Sequence, residues 1–244
     1  MKVLFAGPSC ANLLRRLSAN PAFELRGPAA YGDVARAVLD GATAIGIVDG
    51  RFEDTRSVWH KEILFALSKG VAVAGAASMG ALRAAECAAF GMIGIGDVFE
   101  RYARGEFEDD GDVAQLHGPA ELGYLALSEP LANIVATLEA LRSEALISPE
   151  ERSALIEAAR RLHYKERGYQ RLFEGTDSPA DRQAFLTAWT AKHAIDRKAE
   201  DARLLVDWLI AAPDRRGPKA DFVFSETSQW LALLSEIEER RVPA

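Results

Sequence analysis

Gly70-Val71-Ala72-Val73-Ala74-Gly75-Ala76-Ala77-Ser78-Met79-Gly80-Ala81-Leu82-Arg83-Ala84-Ala85-Glu86 carries a short β-prone apolar run straight into strong helix formers, with only the smallest side chains at the junction. Such a stretch reads as a β-strand, Val71–Ala74, a tight turn, and a helix running to about Phe90. Small residues suit it because the turn is sharp and strand and helix must pack closely. A serine on that turn has its hydroxyl pushed to the lip of the sheet, beside the first free N–H groups of the helix. This is the logic of a nucleophile elbow, with Met79 and Gly80 as candidate oxyanion donors. The flanks here read Ala76-x-Ser78-x-Gly80 and not Gly-x-Ser-x-Gly. Serine is also a favoured helix N-cap, so a purely structural Ser78 competes with a catalytic one.

Working outward, the N-terminal half alternates strand-like and helix-like segments. Lys2–Ala6 is a first strand broken by Gly7-Pro8-Ser9, and Cys10–Ala19 comes next with leucines at helical spacing. Asp33 caps a helix to Leu39, Ala44–Val48 is a second strand ending at Asp49-Gly50, and Ser57–Ser68 is amphipathic. This alternation predicts an α/β fold, a mainly parallel sheet flanked by helices. Its functional crevice should lie outside the carboxyl ends of the strands. Pro8-Ser9, Asp49-Gly50 and Ala77-Ser78 all fall there. The alternating glycines of 91–96 break the pattern, and Asp97–Arg104 is a short helix. From Ser128 onward the periodicity is helical: Pro130–Glu144, Pro149–Leu172, Pro179–Lys192, Asp196–Leu209 and Glu226–Arg241. We therefore expect an α/β core over residues 1–125 and a helical region over 126–244, packed on the core or serving as a partner-docking surface.

The 244 residues, 49% hydrophobic and 27% charged, are enough to bury a substantial core. A net charge of −7 and the lack of a basic run argue against a nucleic-acid partner. No apolar run approaches the ~20 residues that cross a bilayer, and the N-terminus reads as a strand and not a signal peptide. With two cysteines, Cys10 and Cys87, a disulfide framework is not expected, and the cytoplasm is the default location. The histidines and cysteines lack paired metal spacing, so no metal is predicted. The acidic stretch 106–112 does not fit a calcium loop. Neither Gly7-Pro8-Ser9 nor 91–96 is a nucleotide motif, and no cofactor is predicted.

Several side chains are candidates to serve Ser78. Lys61 opens the helix that precedes the Ser78 strand, and a desolvated lysine near a helix N-terminus has its charged form disfavoured. Such an amine can act as base for a serine hydroxyl. His60 and His117 are rivals, histidine being the usual base, with His60 pointing about 100° around the helix from Lys61. Arg83 and Glu86 come after Ser78 on its helix, where Arg83 can hold a carboxylate or pair with Glu86. Gly75, Ala76 and Ala77 would form a narrow crevice, and Pro8 and Ser9 would sit beside it at the neighbouring strand end.

Together these segments resemble the TfuA family. The resemblance is carried by Val3–Ser9, Gly32-Asp33, Ser57–Leu64 (Ser-Val-Trp-His-Lys-Glu-Ile-Leu), Gly75–Glu86, Phe90-Gly91-Met92, Asp112-Val113-Ala114 with His117, Pro119-Ala120-Glu121 and Leu127–Pro130. It covers about residues 3–140. It implies a partner of YcaO enzymes in peptide backbone thioamidation, which hydrolyses the C-terminal thiocarboxylate of a ThiS-like sulfur carrier protein to deliver sulfide. The peptide substrate would be met through YcaO. It also implies a serine–lysine pair, mapped onto Ser78 and Lys61, which is what sets Lys61 above the histidines. A Gly-Gly carrier tail would then thread the small-residue crevice. Two other readings stand beside it: a non-catalytic adaptor that binds YcaO and its peptide, with Ser78 a mere cap, and an unrelated serine esterase.

Overall fold

In the computed structural model, which describes residues 1–51 and 55–239, five parallel strands lie in the order β2-β1-β3-β4-β5. They are β1 (Lys2–Phe5), β2 (Glu24–Arg26), β3 (Ala44–Ile47), β4 (Ala72–Ala76) and β5 (Ile93–Ile95). The three central strands are buried on both faces and, apart from Lys2, apolar, as a sheet covered on both sides requires. The register pairs Phe5 with Ile47 and Ile47 with Gly75, so the carboxyl ends of β1, β3 and β4 line up along one lip.

One face is covered by α2 (Asp33–Leu39), α3 (His60–Ser68) and α4 (Met79–Cys87), around a core that includes Phe5, Ile45, Ile47, Ile63 and Val73. On the other face α1 (Leu14–Ser18) and the long α10 (Arg197–Ala211) pack against Leu4, Ala6, Ala44, Val48, Ala74, Ala76 and Ala77. Between them in sequence come α5 (Asp97–Ala103), α6 (Leu131–Ser143), α7 (Pro149–Arg161), α8 (Tyr169–Glu174) and α9 (Ala180–His193). Finally α11 (Ser228–Glu239) buries Trp230 against Phe65 and Phe224. The expected α/β sheet with a helical C-terminal region is what the chain forms.

Four details differ from the sequence reading. The glycines of 91–96 do not break the alternation: Ile93–Ile95 forms the edge strand β5, and Gly96 leads into α5. β2, another three-residue edge strand, was not anticipated. The predicted helix Cys10–Ala19 is a 3-10 segment, Pro8–Leu13, joined to the short α1. The single helix predicted over Pro149–Leu172 is two. Arg167, buried between them, donates to the carbonyls of Ala159, Leu162 and Gly111, so the end of α7 is closed by a guanidinium. The predicted end of the last helix, Arg241, lies outside the described residues. No helix among the described residues is long and apolar enough to cross a membrane.

Candidate functional site

The turn after β4 has the geometry its composition demands. Ala77 takes φ = 65°, a left-handed value that residues with a Cβ rarely adopt. The Ser78 amide donates back to the Ala76 carbonyl at 2.7 Å, closing a three-residue γ-turn of the rare, strained hand. Close packing on either side of the turn leaves no room for side chains. A Cβ on Gly75 would lie 1.9 Å from the Gly80 carbonyl, and one on Gly80 1.7 Å from the Ile47 carbonyl. Both positions accept only glycine, and α4 is thereby pressed onto β3 and β4.

Ser78 starts α4 but does not cap it with its side chain. It is 2% exposed, and its hydroxyl bonds no described residue. Of the two proposed oxyanion donors, the Gly80 N–H is occupied, donating to the Val48 carbonyl at 3.2 Å. The Met79 N–H, first in the helix, has no partner among the described residues. Gly75, Ala76 and Ala77 are fully buried, so no open crevice runs between them.

The other candidates fall into separate groups. Lys61 turns away from the sheet. Its Nζ donates to Thr227 Oγ1 at 3.2 Å and lies over the rings of Trp59 and Phe224, at 5.9 and 5.4 Å from their centroids. No hydrogen bond joins it to Ser78. His60 meets Glu86 at 2.8 Å, and Arg83 reaches Glu86 at 2.6 Å and the Val58 carbonyl at 3.1 Å. Burial opposes ionisation of Glu86, but His60 and Arg83 together hold its carboxyl below the usual range. Glu86 lies eight positions past Ser78, roughly 12 Å along the helix axis. His60 and Arg83 line a cavity of about 610 Å³ against α11.

At the lip itself, Pro8 and Ser9 are held by Asp49, a residue expected at the crevice but given no role there. The buried Asp49 carboxylate accepts the amides of Gly7 and Ser9 at 2.8 and 3.1 Å and the Ser9 hydroxyl at 2.7 Å. Beside it opens a cleft of about 700 Å³ whose wall includes Gly27, Pro28, Gly50, Gly111, Ala114, His117 and Tyr124. His117 packs edge-on against Tyr124, with its Nδ1 2.8 Å from the Gly118 carbonyl. Gly50 on this wall abuts Met79, so Ser78 lies one residue behind it. The narrow small-residue crevice expected at Gly75–Ala77 is not formed; the cleft that does open has three glycines on its wall, Gly27, Gly50 and Gly111, among side chains such as Arg51, Asp110 and Lys165. Among the described residues no cluster of His, Cys, Asp or Glu has the arrangement of a metal site.

An uncommitted hydroxyl on a strained turn at the open end of a parallel sheet, beside a free helix N–H, can do acyl-transfer chemistry. Residues 49–168, which hold the α3–β4–α4 unit and the loop over the cleft, match the family model described as TfuA-like protein. That match supports assigning the chain to the TfuA-like family and, with it, a role related to YcaO-dependent thioamidation. No curated protein matches the chain.

Proposed function

We propose that this protein hydrolyses the C-terminal thiocarboxylate of a ThiS-like sulfur carrier, delivering sulfide to a YcaO enzyme that thioamidates a peptide. The observation that carries the reading is the Ser78 hydroxyl, which neither caps α4 nor bonds a described neighbour although the residue is buried. Strained, uncommitted groups concentrate at functional sites.

Ser78 Oγ adds to the thiocarboxylate carbon, with the Met79 N–H donating to the oxyanion. The C–S bond then breaks and HS⁻ leaves, giving an acyl-serine. Water opens the ester, so that thiocarboxylate and water become carboxylate, HS⁻ and a proton. The family resemblance gives the base role to Lys61. In that role its amine would have to leave Thr227 and the faces of Trp59 and Phe224. The glycines on the cleft wall, Gly27, Gly50 and Gly111, leave room for the backbone of a side-chain-free carrier tail. Leu122, Leu125 and Leu127, exposed on the segment beside it, favour a protein partner at this face. They suit a YcaO-binding adaptor as well as a hydrolase.

Sulfide release from a thiocarboxylated carrier separates the two readings. Ser78→Ala is expected to lower the rate by at least about 10³-fold, since a lost nucleophile leaves only binding and oxyanion terms. A fluorophosphonate probe is expected to label the parent protein and not the variant. Parent-rate release by Ser78→Ala would leave the adaptor role alone.

A further inference from the structure

Residues 116–128 form a tongue at the mouth of the cleft. Its base is tied where the Leu116 amide donates to the Ser128 hydroxyl at 2.8 Å and the Leu127 amide to the Leu116 carbonyl at 2.9 Å. Beyond that base every residue from Pro119 to Leu127 is exposed except Tyr124. Gly123 and Tyr124 take φ = 65° and 56°, two left-handed residues in succession. The second is uncommon for a side chain of that size. The turn brings the Tyr124 amide to the Pro119 carbonyl at 3.2 Å and leaves Tyr124 covered while its neighbours face water. Such a backbone persists where the surroundings fix it.

What fixes it is the lip of the sheet. A Cβ on Gly7, just past β1, would lie 3.3 Å from Tyr124 Cζ and 2.6 Å from Pro28 Cγ, so the phenol and the Pro28 ring share the space over Gly7. His117 packs edge-on against the same phenol ring, the centroids 5.4 Å apart. Pro28, His117 and Tyr124 line the cleft together with Gly27, Gly50 and Gly111, so the bulk on this wall stands next to stretches that have none. The register sets the distance to Ser78. Phe5 pairs with Ile47 and Ile47 with Gly75, so Gly7, Asp49 and Ala77 continue one line across the strand ends. Two strand spacings, about 10 Å in all, separate the ring from the Ser78 turn. An extended chain covers that span in about three residues.

We propose that Tyr124 determines which tails the cleft admits, its ring excluding side chains from the positions two and three residues before the carrier's terminal glycine. This rests on the reading of the cleft as the channel for a carrier tail. Glycine at those positions passes beside the ring, whereas a branched side chain has to push it off Gly7 and Pro28. Moving the ring also costs the tongue its inward contact, so the penalty exceeds the local clash. Burial, then the charge of Asp49, pushes the phenol above the ordinary tyrosine range, so the ring is neutral and selects by shape. Tyr124 touches no reacting atom; it acts on which tail reaches Ser78.

The test is a leucine scan of the last four positions of a ThiS-like carrier ending in Gly-Gly, against the parent protein, Tyr124→Phe and Tyr124→Ala. Binding of the carrier in its carboxylate form is read by fluorescence anisotropy, which needs no chemistry. In the parent, leucine at the third or fourth position from the end is expected to weaken binding at least about 10-fold. Tyr124→Ala is expected to abolish that penalty and to keep the one at the last position, while Tyr124→Phe, which retains the ring, keeps both. Should Tyr124→Ala unfold, Tyr124→Gly makes the same comparison and relieves the left-handed backbone. An unchanged scan in Tyr124→Ala, or an equal loss for every carrier, would overturn the assignment, the second because a merely structural ring has no preferred position. A parent protein indifferent to leucine at all four positions would overturn it too, and the channel with it. Parent-rate sulfide release by Ser78→Ala, with the binding scan as expected, would remove the hydrolase and leave Tyr124 in its role.

Discussion

The backbone around Ser78 sets two opposing demands on side-chain size. At Ala77 a methyl group is held at positive φ, which costs a non-glycine residue about 1–2 kcal/mol. That methyl is buried among Ala76, Ala202 and Cys10, which returns about 0.8 kcal/mol. Ala77→Gly is therefore expected to alter stability by less than about 1 kcal/mol, on the stabilising side. At Gly75 an added methyl meets a backbone carbonyl that cannot rotate away. Gly75→Ala is expected to lose about 3 kcal/mol or more, the upper end of overpacking costs. Urea unfolding of the two variants checks both, and equal effects would show that the turn yields more easily than its geometry implies. This part of the site was legible in the sequence, because only small residues fit so close an approach. The direction of Lys61 was not. It is set by Thr227 and Phe224, more than 160 positions away, and helical spacing carries no information about them. The burial of Lys198 is visible as a charge on an otherwise apolar i, i+4, i+7, i+11 stripe of α10.

Among the elements, α2 and α3 are joined through one carboxylate. Glu62, fully buried in the first turn of α3, accepts the amides of Gly32, Ala35 and Trp59 at 2.9–3.1 Å. Burial raises its pKa from 4.5 to about 7 despite those three bonds. The folded protein therefore keeps a proton on Glu62 over a range where the unfolded chain has lost it. The stabilising effect is complete below pH 4.5 and fades as pH rises to about 7. Glu129, raised to about 7, and Asp201, raised to about 6, act in the same sense and mainly through burial. Glu62→Ala is expected to cost more than about 2 kcal/mol by stranding buried donors, and to flatten the fall in stability between pH 4.5 and 7. Chemical denaturation at several pH values measures this, and an unchanged slope would assign it to other groups. The longer elements were readable from periodicity and caps, with Ser148 before Pro149 a clear start. The two edge strands were not, since three residues such as Ile93-Gly94-Ile95 hold too little pattern to register. The break between α7 and α8 was hidden because the Arg167 guanidinium that closes α7 acts from beyond it.

For the whole molecule, the division of the chain into an α/β half and a helical half describes its sequence better than its core. Leu131, Leu138, Leu172 and Trp230 belong to the same cluster as Phe5 and Ile47. The opposite face of the sheet is sealed by Ala202, Leu205, Val206 and Leu209. Because α10 comes last among the elements that cover this face, Leu4, Ala44, Val48 and Ala74 stay open to water while the first two hundred residues leave the ribosome. The nascent chain must carry a sticky, half-clad sheet through most of its synthesis, a state prone to self-association. A fragment ending at residue 125 is accordingly expected to bind a hydrophobic dye and aggregate where the full chain does not. Light scattering after dilution from denaturant would reveal it, and a monodisperse, dye-silent fragment would show that the sheet can clothe itself early.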